Sequence, residues 1–171
     1  MMKLDKKTIL EYAKKYDEQY SKAGETVERE MKELLRNQRY LTRDQFVRIG
    51  LWKSKRPSKH YRNEENDNLT VKEITMFSFG TKSEKARIKS LLALKGVSWP
   101  VASVILHFAF PTKYPIMDFR VIWSLGWAQP SSYNFSFWQN YCKRIYALSK
   151  KYKLPIRAVE KSLWKYSKEH Q

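Results

Sequence analysis

The stretch Leu91-Leu92-Ala93-Leu94-Lys95-Gly96-Val97-Ser98-Trp99-Pro100 runs straight into Val101-Ala102-Ser103-Val104-Ile105-Leu106-His107-Phe108-Ala109-Phe110. Its second half is apolar almost all round, so a helix formed there must be buried. Pro100 suits the first turn of that helix, where the backbone N–H would have no partner anyway. A preceding helix ends at Leu94, and Lys95-Gly96-Val97-Ser98 makes the turn between the two. Such a hairpin presents successive backbone N–H groups at the start of its second helix, and these suit a phosphate oxygen or a cation bridging to one. The same geometry serves equally as an ordinary helical hairpin in a core, and Leu-x-Gly-Val alone does not separate the two.

Downstream come Pro111-Thr112-Lys113-Tyr114-Pro115-Ile116-Met117 and then Asp118-Phe119-Arg120-Val121-Ile122-Trp123. Asp118 stands where a new helix should begin, which is the N-cap position that Asp often fills. A capping carboxylate is also rigidly aimed, so a cap and a chemical role are compatible.

Outward from this segment the pattern stays helical. Ile9, Tyr12, Ala13, Tyr16 and Tyr20 recur at helical spacing, as do Val27, Met31, Leu34 and Leu35. Thr42 caps a segment with Phe46, Val47, Gly50 and Leu51 that ends near Ser54, before Pro57. Residues 55–68 are polar without periodicity and read as an exposed loop. Thr70 opens a short helix stopped by Gly80, and Thr81 with Glu84 has a capping-box pattern before Ile88 and Leu91. Trp138, Tyr141, Cys142 and Ile145 share one face, and Pro155 starts a last helix with Val159 and Leu163 inward. No segment alternates with a period of two. The expectation is an all-α fold, one compact two-lobed helical domain over 1–171.

Lys and Arg number 34 against 17 Asp and Glu, a net charge of +17 on a chain that is 42% hydrophobic. That apolar content excludes wholesale disorder, and the charge is the footprint of a polyanion binder, although a solvated lysine-rich surface gives the same count. Basic residues are dense at Lys53, Lys55, Arg56, Lys59, His60 and Arg62, and again from Lys143 to Lys165. The single cysteine, Cys142, excludes a disulfide framework, a four-cysteine zinc site and a cysteine-held iron–sulfur cluster. His60, His107 and His170 lie far apart in sequence, so no metal site is assigned, and His107 on the apolar helix reads as a core histidine. No apolar run approaches the roughly 20 residues of a membrane span. The charged opening Met1–Asp5 lacks an apolar secretory segment, so a cytoplasmic, nucleoid-associated protein of bacterial type without membrane contact is expected.

Leu94-Lys95-Gly96-Val97-Ser98-Trp99-Pro100-Val101-Ala102-Ser103, followed by Pro115-Ile116-Met117-Asp118 and Arg120, resembles the helix-hairpin-helix superfamily of base-excision DNA glycosylases. That family carries a Leu-Pro-Gly-Val-Gly-x-x-Thr-Ala hairpin and a Val-Asp-Thr element at the spacing found here. About 35 of the 171 residues carry the resemblance directly, within a hairpin and catalytic-Asp segment of about residues 84–127, with a weaker echo at Leu51-Trp52-Lys53-Ser54. Three departures stand out. The family's bifunctional members have a lysine where this chain has Pro100, which offers no amine for a Schiff base. Ser98 replaces the second hairpin glycine, and the region between Ser54 and the hairpin is shorter than usual.

The resemblance implies a monofunctional DNA glycosylase acting on double-stranded DNA as a monomer. It would need no cofactor beyond a monovalent cation at the hairpin. Asp118 is its implied catalytic carboxylate, stabilising positive charge on the sugar and activating water. Lys95, Gly96, Val97 and Ser98 are the implied strand clamp. Lys55 and Arg56 are implied to fill the gap left by an extruded base or to contact phosphate, and Arg120 to hold Asp118 or a phosphate. Trp52, Trp99 and Tyr114 are candidates to line the base pocket; Tyr61 is a further stacking candidate, and each of these aromatics also reads as packing. The competing expectations are a non-catalytic DNA-binding protein, in which Asp118 is only a cap, and an RNA-binding helical protein.

Overall fold

The computed structural model describes residues 5–171; the charged opening of the sequence lies, through residue 4, outside them. The described residues form ten helices and no strand. These are α1 (Lys6–Gln19), α2 (Lys22–Leu35), α3 (Arg43–Lys53), α4 (Ser58–Tyr61), α5 (Asn68–Gly80), α6 (Glu84–Leu91), α7 (Trp99–Ala109), α8 (Phe119–Ser124), α9 (Phe135–Tyr152) and α10 (Ile156–His170). None is long and apolar enough to cross a membrane. The chain divides into two compact units, Lys22–Pro111 and Thr112–Gln171 with residues 5–21. The 84–127 segment is therefore shared between them.

The middle unit is built around α7. Val101 to Phe108 are all buried, as an all-round apolar helix requires, and α2, α3 and α6 pack on it. Each large side chain buried there, such as Ile105, Leu106 or Phe108, contributes roughly 1.5–3 kcal/mol. α3 opens at Thr42 as expected, with Gln45 completing a capping box. At the end of α5 the buried Arg87 guanidinium donates to the carbonyls of Ser78, Phe79 and Thr81 and lies over Phe110. It thereby satisfies acceptors that every helix end leaves open.

In the other unit α1 and α10 pair along their lengths, and α8 and α9 also pack on α10. Ile9 and Ala13 of α1 and Ile156, Val159 and Leu163 of α10 are buried. Tyr16 meets Trp164 edge to face at 5.3 Å, and Lys161 bonds Asp17 at 2.6 Å on the seam's outer side.

Four sequence expectations need correction. Residues 55–68 are not a plain exposed loop: α4 forms there, and Tyr61 and Asn66 are buried. One aromatic and one amide carry no periodicity, so their burial leaves no pattern. α5 is capped by Asp67 rather than opened at Thr70. Ser83, not Thr81, caps α6 by accepting from Ala86 N–H. α6 closes at Leu91, and the chain continues to Leu94 through tighter i→i+3 bonds at Leu92, Ala93 and Leu94.

Candidate functional site

The turn between α6 and α7 is held from outside by the segment that follows α3. Gly96 has φ +84°, a conformation that L side chains rarely adopt, and a Cβ there would lie 2.9 Å from both His60 Cβ and Tyr61 Cδ1. Asn66, buried on this segment, accepts from Lys95 N–H at 2.8 Å. Its amide group donates to the carbonyls of Lys95, His60 and Tyr61 at 3.0, 3.1 and 3.2 Å. One side-chain amide thus ties the turn to α4 on both sides of the Lys95 residue. Val97 N–H closes the turn onto Leu94 carbonyl at 3.1 Å.

Ser98 is the N-cap residue of α7, exposed, with no side-chain capping bond. The N–H groups of that first turn have no partner within the helix. Lys95 is exposed and lies 3.2 Å from Glu65, an exposed pair worth little in water. Lys55, Arg56, Lys59, His60 and Arg62 are all exposed on the segment anchored by Tyr61 and Asn66. The structure therefore brings the dense basic run and the glycine turn together within one unit.

Trp52 is half-buried and makes packing contacts. Its indole N–H donates to the Gly24 carbonyl at 2.9 Å and its ring meets Phe108 edge-on at 5.0 Å. Trp99 is half-buried at the first position of α7. Tyr61 is fully buried, with its ring against Gly50 as well as Gly96, so it is a packing residue.

Asp118 lies in the other unit. Residues Tyr114 to Met117, which lead to it, are buried and lie outside any helix. Ile116 is gripped at both of its backbone polar groups. Glu160 of α10, 1% exposed, accepts its N–H, and Tyr141 of α9 donates to its carbonyl at 2.6 Å. Two residues on, Asp118 is half-buried and caps α8, with one oxygen accepting from Arg120 N–H at 3.0 Å. Burial, and after it the charges of Glu160 and Asp118, holds the Tyr141 phenol protonated well above its usual range. Burial and the Asp118 charge also push up the Tyr133 phenol.

It is the backbone N–H of Arg120 that reaches this carboxylate. The guanidinium lies over the Phe119 and Trp164 rings, 5.0 and 5.7 Å from their centroids. Tyr114 requires a correction: it is 2% exposed and stacked on Trp138 at 5.8 Å, so as placed it presents no open face to a base. His107 is fully buried on α7, and among the described residues no group of His, Cys, Asp and Glu is arranged to hold a metal ion.

Sequence inspection passed over Asn66, Glu160, Tyr133 and Phe119. Only Glu160 carried a usable signal: it falls in the inward set Ile156, Val159, Glu160 and Leu163, an acid at a core position of its helix. No protein-family model, curated protein or solved structure matches the chain.

Proposed function

We propose that this protein is a monofunctional DNA glycosylase that hydrolyses the bond between a damaged or modified base and deoxyribose, leaving an abasic site. The observation that carries the proposal is Asp118: a half-exposed carboxylate at a helix cap, with the chain before it clamped by two buried side chains. Such fixing would be needed if the carboxylate is to stabilise an oxocarbenium-like sugar without first reorganising. The same group would orient the attacking water and take its proton. Pro100, at the helix position where an amine nucleophile would be required for strand cleavage, favours water as the nucleophile.

The middle unit would supply grip. As a helix-hairpin-helix element, the Gly96 turn and the uncapped start of α7 would hold a phosphate. Lys55, Arg56, Lys59 and Arg62 would add salt-sensitive contacts to double-stranded DNA. Extruding the base would cost a few kcal/mol, offset by those contacts.

The test is incubation of the protein with duplexes carrying alkylated, deaminated or hypermodified bases, followed by alkali to cleave any abasic site. Alkali-labile sites should appear with at least one substrate and vanish with Asp118→Asn. A borohydride-trapped adduct, which needs an attacking amine, should not form. Salt-dependent duplex binding with no base release from any substrate would favour the second reading, a non-catalytic DNA-binding protein. The bond from Asp118 to Arg120 N–H suits that reading equally well, because a plain helix cap makes the same contact.

A further inference from the structure

We propose that Phe119, with Arg120 against its ring and Tyr133 joined to its backbone through Gln129, is a stacking contact for an unpaired nucleobase. The occupant rests on the activity proposed above; the surface itself rests on the following observations. α8 buries Val121, Ile122 and Ser124, yet its first residue, Phe119, is 48% exposed and immediately follows Asp118. Leu10, Leu69, Met76 and Phe77 are exposed as well, so it is its place next to Asp118 that sets Phe119 apart. Its backbone is nonetheless fixed: the Phe119 carbonyl accepts from the Gln129 amide at 2.8 Å, and the Gln129 oxygen accepts from Tyr133 hydroxyl at 3.1 Å.

Tyr133 is in turn backed by Phe137 at 5.5 Å, and Phe137 by Trp127 at 5.9 Å. Burial, and after it the Asp118 charge, raises the Tyr133 phenol. The exposed residue that follows Asp118 and the half-buried Tyr133 are thus joined through one glutamine, from the Phe119 carbonyl to the Tyr133 hydroxyl. The Arg120 guanidinium on the Phe119 ring adds positive charge beside the apolar surface, which suits an aromatic base still attached to its phosphates better than a neutral apolar partner. These contacts replace the base-lining role first expected of Tyr114.

The experiment uses the full chain and a duplex carrying a single mismatched 2-aminopurine, whose fluorescence is bright when unstacked and quenched when stacked. Wild type should bind this duplex with the probe quenched. Phe119→Ala, a change at an exposed position, should fold normally, bind the mismatched duplex about tenfold or more weakly and leave the probe bright, on the scale of losing one base–aromatic stack. Phe119→Trp should restore both readouts.

Three results overturn the proposal: quenching and affinity unchanged in Phe119→Ala, full restoration by Phe119→Leu, or an equal loss of affinity for a fully paired duplex. None of these readouts depends on base release. A chain that releases no base yet quenches through Phe119 loses the glycosylase proposal and keeps the contact. Base release with Phe119-independent quenching does the reverse.

Discussion

The ring of Tyr61 fills the space a side chain on Gly96 would need, with Tyr61 Cδ1 only 2.9 Å from where that Cβ would stand. The same ring lies 2.8 Å from a Cβ built on Gly50 of α3. One aromatic is therefore wedged between two glycines that are far apart in the chain. The glycine in the turn serves this contact as well as its own positive φ.

Gly96→Ala meets both penalties at once, a left-handed backbone and a clash with a buried ring. It should destabilise the protein by more than about 1 kcal/mol and weaken DNA binding through the turn. Urea unfolding and a binding titration on the same variant measure both effects. A variant as stable as wild type would remove the wedge from the account.

Tyr61 hydroxyl is buried without a hydrogen-bond partner, and burial pushes its pKa from the usual 10 up to about 12. Because the folded state holds this proton more tightly than the unfolded chain, the phenol's contribution is complete below pH 10. It is then lost as pH rises from 10 towards 12. Tyr61→Phe removes an unsatisfied polar atom and keeps the ring, so its stability near neutrality should match or exceed that of wild type. Its stability should also fall less steeply across that alkaline window, as followed by thermal melts at stepped pH.

Glu160 and Tyr141 hold opposite sides of Ile116. Glu160→Ala strands a buried N–H and should cost about 1–3 kcal/mol, whereas Glu160→Gln keeps an acceptor and should cost less. Tyr141→Phe should cost about 1 kcal/mol. If the clamp aims Asp118, each of these variants lowers the turnover rate of base release more than it raises KM. Loss of stability with an unchanged rate would limit the clamp to folding.

The exposed basic run on α4 and its flanks makes a quantitative claim about salt. Each of Lys55, Arg56, Lys59 and Arg62 that neutralises a phosphate should, when replaced by Ala, reduce the slope of log affinity against log salt by about 0.9. Stability should be nearly unchanged, since all four are exposed. Fluorescence anisotropy over a salt series reads the slope directly. An unaltered slope in the fourfold variant would count against these residues as the proposed duplex contact.

Much of the secondary structure was legible because burial repeats along a helix. The Val101–Phe108 run could only be a core helix, the Trp138, Tyr141, Cys142 and Ile145 face is buried on α9, and Asp118 and Thr42 both cap helices as read. The errors cluster where a single side chain acts alone. Asn66 works by matching a peptide group's own donors and acceptor, and Tyr61 by fitting between glycines. Neither function recurs at any spacing. Glu160 broke the apolar pattern of α10, but whether such an acid is a surface residue or a buried clamp depends on what lies opposite.

Composition and periodicity by themselves determined that this chain is helical, strongly basic and able to bury a core, because charge is additive and amphipathic spacing is local. Only tertiary structure decided that the first helix pairs with the last, that α4 and the residues after it secure the glycine turn, and that a buried acid and phenol grip the segment leading to Asp118. Each of these joins residues distant in sequence. Shape and hydrogen-bond complementarity, unlike periodicity, exist only once the chain has folded.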